Sequence, residues 1–284
     1  MKAIVLDEYG SPDVLELREI DKPVVGDDEV LVRVHADCLH PDVRHMMRGM
    51  PYFLRIIGAG LRMPSNRVPG TDLAGSVEAV GRNVTQFRPG DDVFGENVSG
   101  HQWHNGGAFA EYVSAPEDTL ALKPARLMFE QAAAVPTSGF IALQGVRDQG
   151  HVQPEQKVLI NGAGGGVGTF AVQLAKSCGA DVTGVDRTEK LDMIRSIGAG
   201  HVIDYTQEDF TRGGERYDLI VDVPGNHSLG DLRRALTPEG TYILIGHEGF
   251  GASGGRWIGR GLSRVLKLRV YSPFVSQQMA PPVS

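Results

Sequence analysis

Cysteine is scarce in this 284-residue chain, which has only Cys38 and Cys178. Two thiols build no disulfide framework and supply no four-cysteine lobe for a structural zinc, so both are expected to be reduced. Long apolar runs are missing too: none approaches the roughly 20 residues that cross a bilayer. The first ten residues, MKAIVLDEYG, carry acids where a signal peptide needs an unbroken apolar core. A basic excess is absent as well, since 28 Lys and Arg face 35 Asp and Glu for a net charge of −7. That balance argues against a general binder of nucleic acid or anionic membrane. The expectation is a cytoplasmic protein whose partner is a small molecule, without internal repeats or low-complexity tracts.

Glycine, by contrast, is abundant at 37 residues, and its densest cluster organises the chain. Val158 to Ile160 reads as a buried strand, and Gly162, Gly164, Gly165, Gly166 and Gly168 follow it. Next, Val167, Ala171, Leu174, Ala175 and Cys178 recur at helical spacing. A second strand, Asp181 to Val185, ends in Asp186, 18 positions after Gly168. Strand, glycine turn, helix, strand and acid is the order of a dinucleotide site. Its turn, Ala163, Gly164, Gly165, Gly166, Val167 and Gly168, is expected to rest a pyrophosphate on the helix N-terminus. Asp186 is expected to grip the adenosine ribose. The pattern departs from the strict fingerprint in having Ala163 at its first position. A bare glycine loop is the competing reading, and the strand–helix–strand flanks weigh against it.

Residues 1–125 read as short strands between Gly-, Pro-, Asp- and Asn-rich turns: 3–6, 14–18, 29–35, 74–80 and 109–114. Such spacing predicts a mainly antiparallel, barrel-like domain. Residues 41–66 break the pattern with Met, aromatic and Arg side chains, read as packed helix or as an apolar lid. From residue 126 to 275 strands alternate with helices, which implies a parallel sheet covered on both faces. Its strands are expected at 158–160, 181–185, 201–204, 218–223, 241–245 and 267–271, and residues 276–284 read as a tail. The fold class is therefore α/β, with a doubly wound parallel sheet after a β domain.

The segments VLVRVHA, HPD, RVPGTDLAGSVEAVG, RPGDDVFG, GGAFAEYV, EQAAAVP and VLINGAGGGVGTFAVQLAK extend the reading over nearly the whole length. Together they resemble the medium-chain dehydrogenase/reductases, in the zinc-independent, quinone-oxidoreductase-like branch. The resemblance implies a GroES-like β-barrel catalytic domain, a Rossmann domain, and NADPH or NADH as cofactor. It also implies hydride transfer to quinones or α,β-unsaturated carbonyl compounds. Zinc-dependent relatives use a Gly-His-Glu segment where this chain has Gly70-Thr71-Asp72, so the resemblance implies catalysis without a metal. Cys38, His101 and His104 could form some other cation site, and surface histidines in a polar loop are the competing reading.

His40 occupies a position where relatives tend to place a pocket asparagine. It is a candidate donor to the substrate oxygen and, with a pKa near neutrality, a candidate acid. The alternative is a histidine that merely bonds a backbone carbonyl beside Pro41. Tyr52 is the next donor candidate, or else a packed aromatic. Asp42 and Asp72 read as loop and turn formers. At the second strand, Asp186 favours a free 2′-hydroxyl and NADH, while Arg187, Thr188 and Lys190 would suit the 2′-phosphate of NADPH; both stay open. Ile245 and Gly246 are expected at the carboxamide and Asn226 at the adenosine side, and Ile141 replaces a threonine found in relatives.

Relatives continue for several dozen residues beyond a segment like Ser272 to Val275. The expectations are a chain that ends early, with an exposed face covered by a partner, and a homodimer paired through residues 267–271. A non-catalytic cofactor-binding protein is the alternative to a reductase, and a zinc-dependent alcohol dehydrogenase is the weaker competitor.

Overall fold

The computed structural model describes residues 1–98, 106–246 and 277–280. The chain divides into two units, the first running from Met1 to Thr137 and the second beginning at Ser138.

In the first unit, β1 (Lys2–Val5) and β2 (Glu16–Glu19) form an antiparallel ribbon. β3 (Glu29–Asp37) leads into the helix α1 (Pro41–Arg48), then come β4 (Asp72–Val80), β5 (Asp92–Glu96), β6 (Tyr112–Pro116) and β7 (Leu120–Leu122). The last five strands make one antiparallel sheet in the order β6-β3-β4-β5-β7. An isolated bridge, Ala3 to Ala110, ties the ribbon to this unit. Val30, Val32, Leu73, Val77, Val93 and Val113 pack its core, because alternate residues of each strand face the same way. α1 starts with Pro41 in its first turn and stops at the left-handed Gly49, and a second helical turn, Arg55–Ala59, follows within 41–66. α2 (Phe129–Ala133) packs Ala132 and Ala133 on Ala74 of β4. Pro136 then opens α3 (Pro136–Leu143), so the helical stretch breaks between α2 and α3 at a residue suited to a first turn.

The second unit contains β8 (Lys157–Asn161), α4 (Gly166–Ser177), β9 (Asp181–Asp186), α5 (Leu191–Ser196), β10 (His201–Asp204), β11 (Tyr217–Asp222), α6 (Leu229–Ala235), β12 (Leu236–Leu244) and β13 (Gln278–Ala280). The sheet runs β10-β9-β8-β11-β12-β13, and every pairing in it is parallel. In order of appearance that is 3-2-1-4-5-6, the doubly wound arrangement whose direction reverses between its first and fourth strands. α4 turns Gly168, Ala171, Val172 and Ala175 inward, one stripe at helical period. These residues share a core with Val158, Ile160, Val182, Leu219 and Val221.

Two sequence expectations need correction here. β12 begins at Leu236, not at 241, and absorbs Pro238-Glu239-Gly240 where its register against β11 shifts, between Tyr217 and Leu219. An irregularity is where a strand tolerates proline, which has no N–H to give the ladder. The sixth strand comes from residues 278–280, which the sequence reading assigned to a tail, while 267–271 lie outside the described residues. Gln277 pins this strand: its amide donates to the carbonyls of Arg233 and Thr237, and its Oε1 accepts from Arg233 Nε.

Candidate active site

In the second unit the glycine turn connects β8 to α4 at the carboxyl edge of the sheet. A Cβ at Gly168 would overlap the Gly162 carbonyl and the Ala163 backbone, so glycine alone lets the helix sit this close to the turn. Gly165 is the N-cap of α4 and brings no side chain to its first N–H groups. An uncapped, glycine-lined helix start is an anion cradle, and the residues present fit the diphosphate of a dinucleotide. Ala163 is fully buried, and Val167 packs partly on the core beneath α4.

Asp186 is buried at the end of β9 and faces the turn. Its Oδ2 accepts from Gly164 N at 2.8 Å and its Oδ1 from Arg187 N at 2.9 Å. Lys190 reaches back over the same turn, with Nζ donating to the Gly164 carbonyl at 2.9 Å and lying 3.8 Å from Asp186 Oδ1. The acid therefore holds the turn in shape, a role the sequence reading did not foresee. Thr188 directs its hydroxyl to Asp204, and Arg187 is solvent-facing, 3.5 Å from Glu189. Asn226 is exposed and accepts from Asn161 Nδ2 at 3.3 Å. Ile245 packs against the core, and Gly246 passes so near the Val223 carbonyl that a Cβ would overlap it.

In the first unit His40 is buried as the N-cap residue of α1. Its Nε2 shares a 2.8 Å hydrogen bond with Thr71 Oγ1, and its Nδ1 lies 3.8 Å from Asp42 Oδ2. Burial lowers the pKa of the ring below its ordinary value, outweighing the Asp42 carboxylate, which pulls the other way. The expected near-neutral acid is thus a neutral imidazole at physiological pH. Its partner is a side-chain hydroxyl, not a backbone carbonyl. Tyr52 lies under the Arg55 guanidinium, 4.8 Å from its ring centre, with Tyr9 on the same cation at 4.1 Å.

Asp72 overturns its reading as a turn former. It opens β4, is fully buried, and stands directly opposite Glu96 of β5. Thr137 Oγ1 donates to Asp72 Oδ1 at 2.5 Å, and Oδ2 has no hydrogen-bond partner among the described residues. Burial pushes the Asp72 pKa up to about 7, with Glu96 and Asp42 adding repulsion and Thr137 opposing. Burial and Asp42 raise Glu96 as well, with Thr137 opposing. Two carboxyls facing each other across a strand pair cannot both ionise cheaply. The sequence signal for this pair is an acid set directly between a Pro-Gly-Thr turn and the apolar start of a strand, Leu73-Ala74.

Burial, then Asp72 and Asp37, raises the Cys38 thiol, the opposite of what a metal ligand needs. Thr71, bonded to His40, offers a hydroxyl and no imidazole, so the side chains here do not fit a catalytic zinc. Among the described residues no three His, Cys, Asp or Glu side chains converge on a cation site. His101 and His104 lie outside the described residues.

Residues 26–125 match the "Alcohol dehydrogenase GroES-like domain" and residues 166–263 the "Zinc-binding dehydrogenase" family model. The chain is 33% identical over 270 residues to the NADPH-dependent alkenal/one oxidoreductase of Arabidopsis thaliana, covering 88% of this chain and 67% of that protein. This chain belongs to the medium-chain dehydrogenase/reductases, in the quinone-oxidoreductase-like branch. A solved member of the branch, the quinone oxidoreductase from Coxiella burnetii, superposes with a TM-score of 0.75 at 32% identity, over 86% of this chain and 75% of that one. The 2-methylene-furan-3-one reductase of Solanum lycopersicum is 33% identical over 254 residues, 86% of this chain; the chain spans only 62% of that protein's length. Membership accounts for the antiparallel first unit and the doubly wound second one. No helix among the described residues is long and apolar enough to cross a membrane.

Proposed function

We propose that the chain is an NAD(P)H-dependent reductase of quinones or α,β-unsaturated carbonyl compounds that works without a metal. The observation that carries this reading is the uncapped start of α4 behind its glycine turn, where a 3-2-1-4-5-6 sheet reverses. The quinone and enone reductases among its relatives point to the acceptor class.

A bound reduced nicotinamide supplies the hydride. The N–H groups opening α4 would hold the diphosphate, and Lys190 would close over Gly164. Asp186 is committed to backbone N–H groups, which leaves the solvent-facing Arg187 to meet a 2′-phosphate and favours NADPH over NADH. In the first unit the His40–Thr71 pair is the candidate donor to the substrate oxygen. A neutral ring there acts as a hydrogen-bond donor that stabilises negative charge on that oxygen, with the final proton drawn from water. Tyr52 is the second candidate. The reading places the protein in the cytoplasm as a homodimer, and sedimentation tests the dimer.

The decisive experiment is a fluorescence titration with NADPH and NADH, then an assay with a simple quinone and a simple enone, with and without chelator. Binding of NADPH and chelator-insensitive turnover are expected. Failure of both coenzymes to bind at millimolar concentration defeats the reading.

A further inference from the structure

The two strands at the reversal point of the sheet, β8 and β11, end in Asn161 and Asp222, which face each other in register. Asp222 is fully buried, yet it is an acid directly after the apolar run Leu219, Ile220 and Val221. Three donors from three segments converge on it. Asn161 Nδ2 donates to Oδ1 at 2.9 Å, Gly225 N donates to the same oxygen at 3.0 Å, and the buried Tyr242 hydroxyl of β12 donates to Oδ2 at 2.8 Å. Asn161 in turn touches Asn226, and the backbone repeats the links: Val223 N donates to the Asn161 carbonyl and Ile245 N to the Asp222 carbonyl.

Burying a carboxylate is costly, and an apolar side chain would pack a strand end at less expense. The two oxygens of a carboxyl group offer enough lone pairs to gather three donors at once. Each donor belongs to a segment at the coenzyme edge: the β8 end that enters the glycine turn, the 223–226 loop, and β12, which runs into Ile245 and Gly246. We propose that Asp222 is a positioning residue of the coenzyme site, holding those segments in their binding arrangement through Asn161, Gly225 and Tyr242. This rests on the coenzyme reading given above. Asp222 itself acts only through its neighbours.

The test compares the full chain with Asp222→Asn and Tyr242→Phe, measuring NADPH and NADH dissociation constants by fluorescence and the melting temperature without coenzyme. Losing a hydrogen bond to a buried carboxyl group corresponds to roughly tenfold in affinity, expected for Asp222→Asn, and a smaller loss of about threefold is expected for Tyr242→Phe. Hydrogen exchange of the 223–226 amides should quicken in both. A merely structural role would lower the melting temperature while the folded protein keeps its parent affinity, and that result overturns the proposal. If Asp222→Asn does not fold, Tyr242→Phe decides by the same criterion. A parent protein that binds neither coenzyme defeats the coenzyme reading, and this inference with it; unchanged affinity in folded variants defeats this inference alone.

Discussion

Asp72 keeps its proton to higher pH than an ordinary carboxyl because the fold surrounds it. Its ordinary carboxyl pKa of 3.8 applies in the unfolded chain, and the folded value is about 7. Below 3.8 both states are protonated and the folded state keeps its full stability. As pH rises toward 7 the unfolded chain ionises first, so stability is lost through that window, by on the order of 4 kcal/mol at the top of it. Asparagine keeps the acceptor for Thr137 and cannot ionise. Asp72→Asn should therefore melt higher than the parent at pH 8, with the gap closing toward pH 4; a gap independent of pH would show that the burial is relieved in some other way. His40→Ala removes the ring bonded to Thr71. It should lower kcat by about a hundredfold and leave the NADPH dissociation constant in place, as measured by steady-state kinetics beside the titration.

Among the elements, the glycine turn and α4 matter most. The helix approaches the turn so closely at Gly168 that one methyl group has no room. Gly168→Ala is expected to push α4 off the turn, cutting coenzyme affinity at least tenfold and costing about 1–3 kcal/mol of stability, read by titration and melting. The turn, α4, β9 and its terminal acid were legible in the sequence because strand, glycine and helix periodicities change within thirty residues. What Asp186 does was not legible, since its partners Gly164 and Lys190 depend on how β9 lies beside the turn. The short α1 escaped too: 41–66 carries enough apolar residues for a longer helix, and the left-handed Gly49 stops it.

For the whole molecule, a ligand that binds only the folded chain stabilises it by mass action. At a hundred times its dissociation constant NADPH should add about 2.7 kcal/mol, visible as a rise in melting temperature that grows with concentration. No rise at saturating coenzyme would contradict binding to the native state.

The sequence by itself determined the kind of fold, because hydrophobic period and glycine placement act locally and survive without tertiary context. An antiparallel β domain and a doubly wound α/β domain followed from them, while the family followed from the resemblance of several longer motifs. Only the tertiary structure decided which acids hold protons and which hold backbone. Asp72, Asp186 and Asp222 are alike as letters. One stands across a strand pair from Glu96, one collects the amides of a turn, and one joins three segments at the sheet's reversal point. Their differences come from groups distant in the chain, and a carboxyl's charge state and role are set by whatever the folded chain brings within hydrogen-bonding reach.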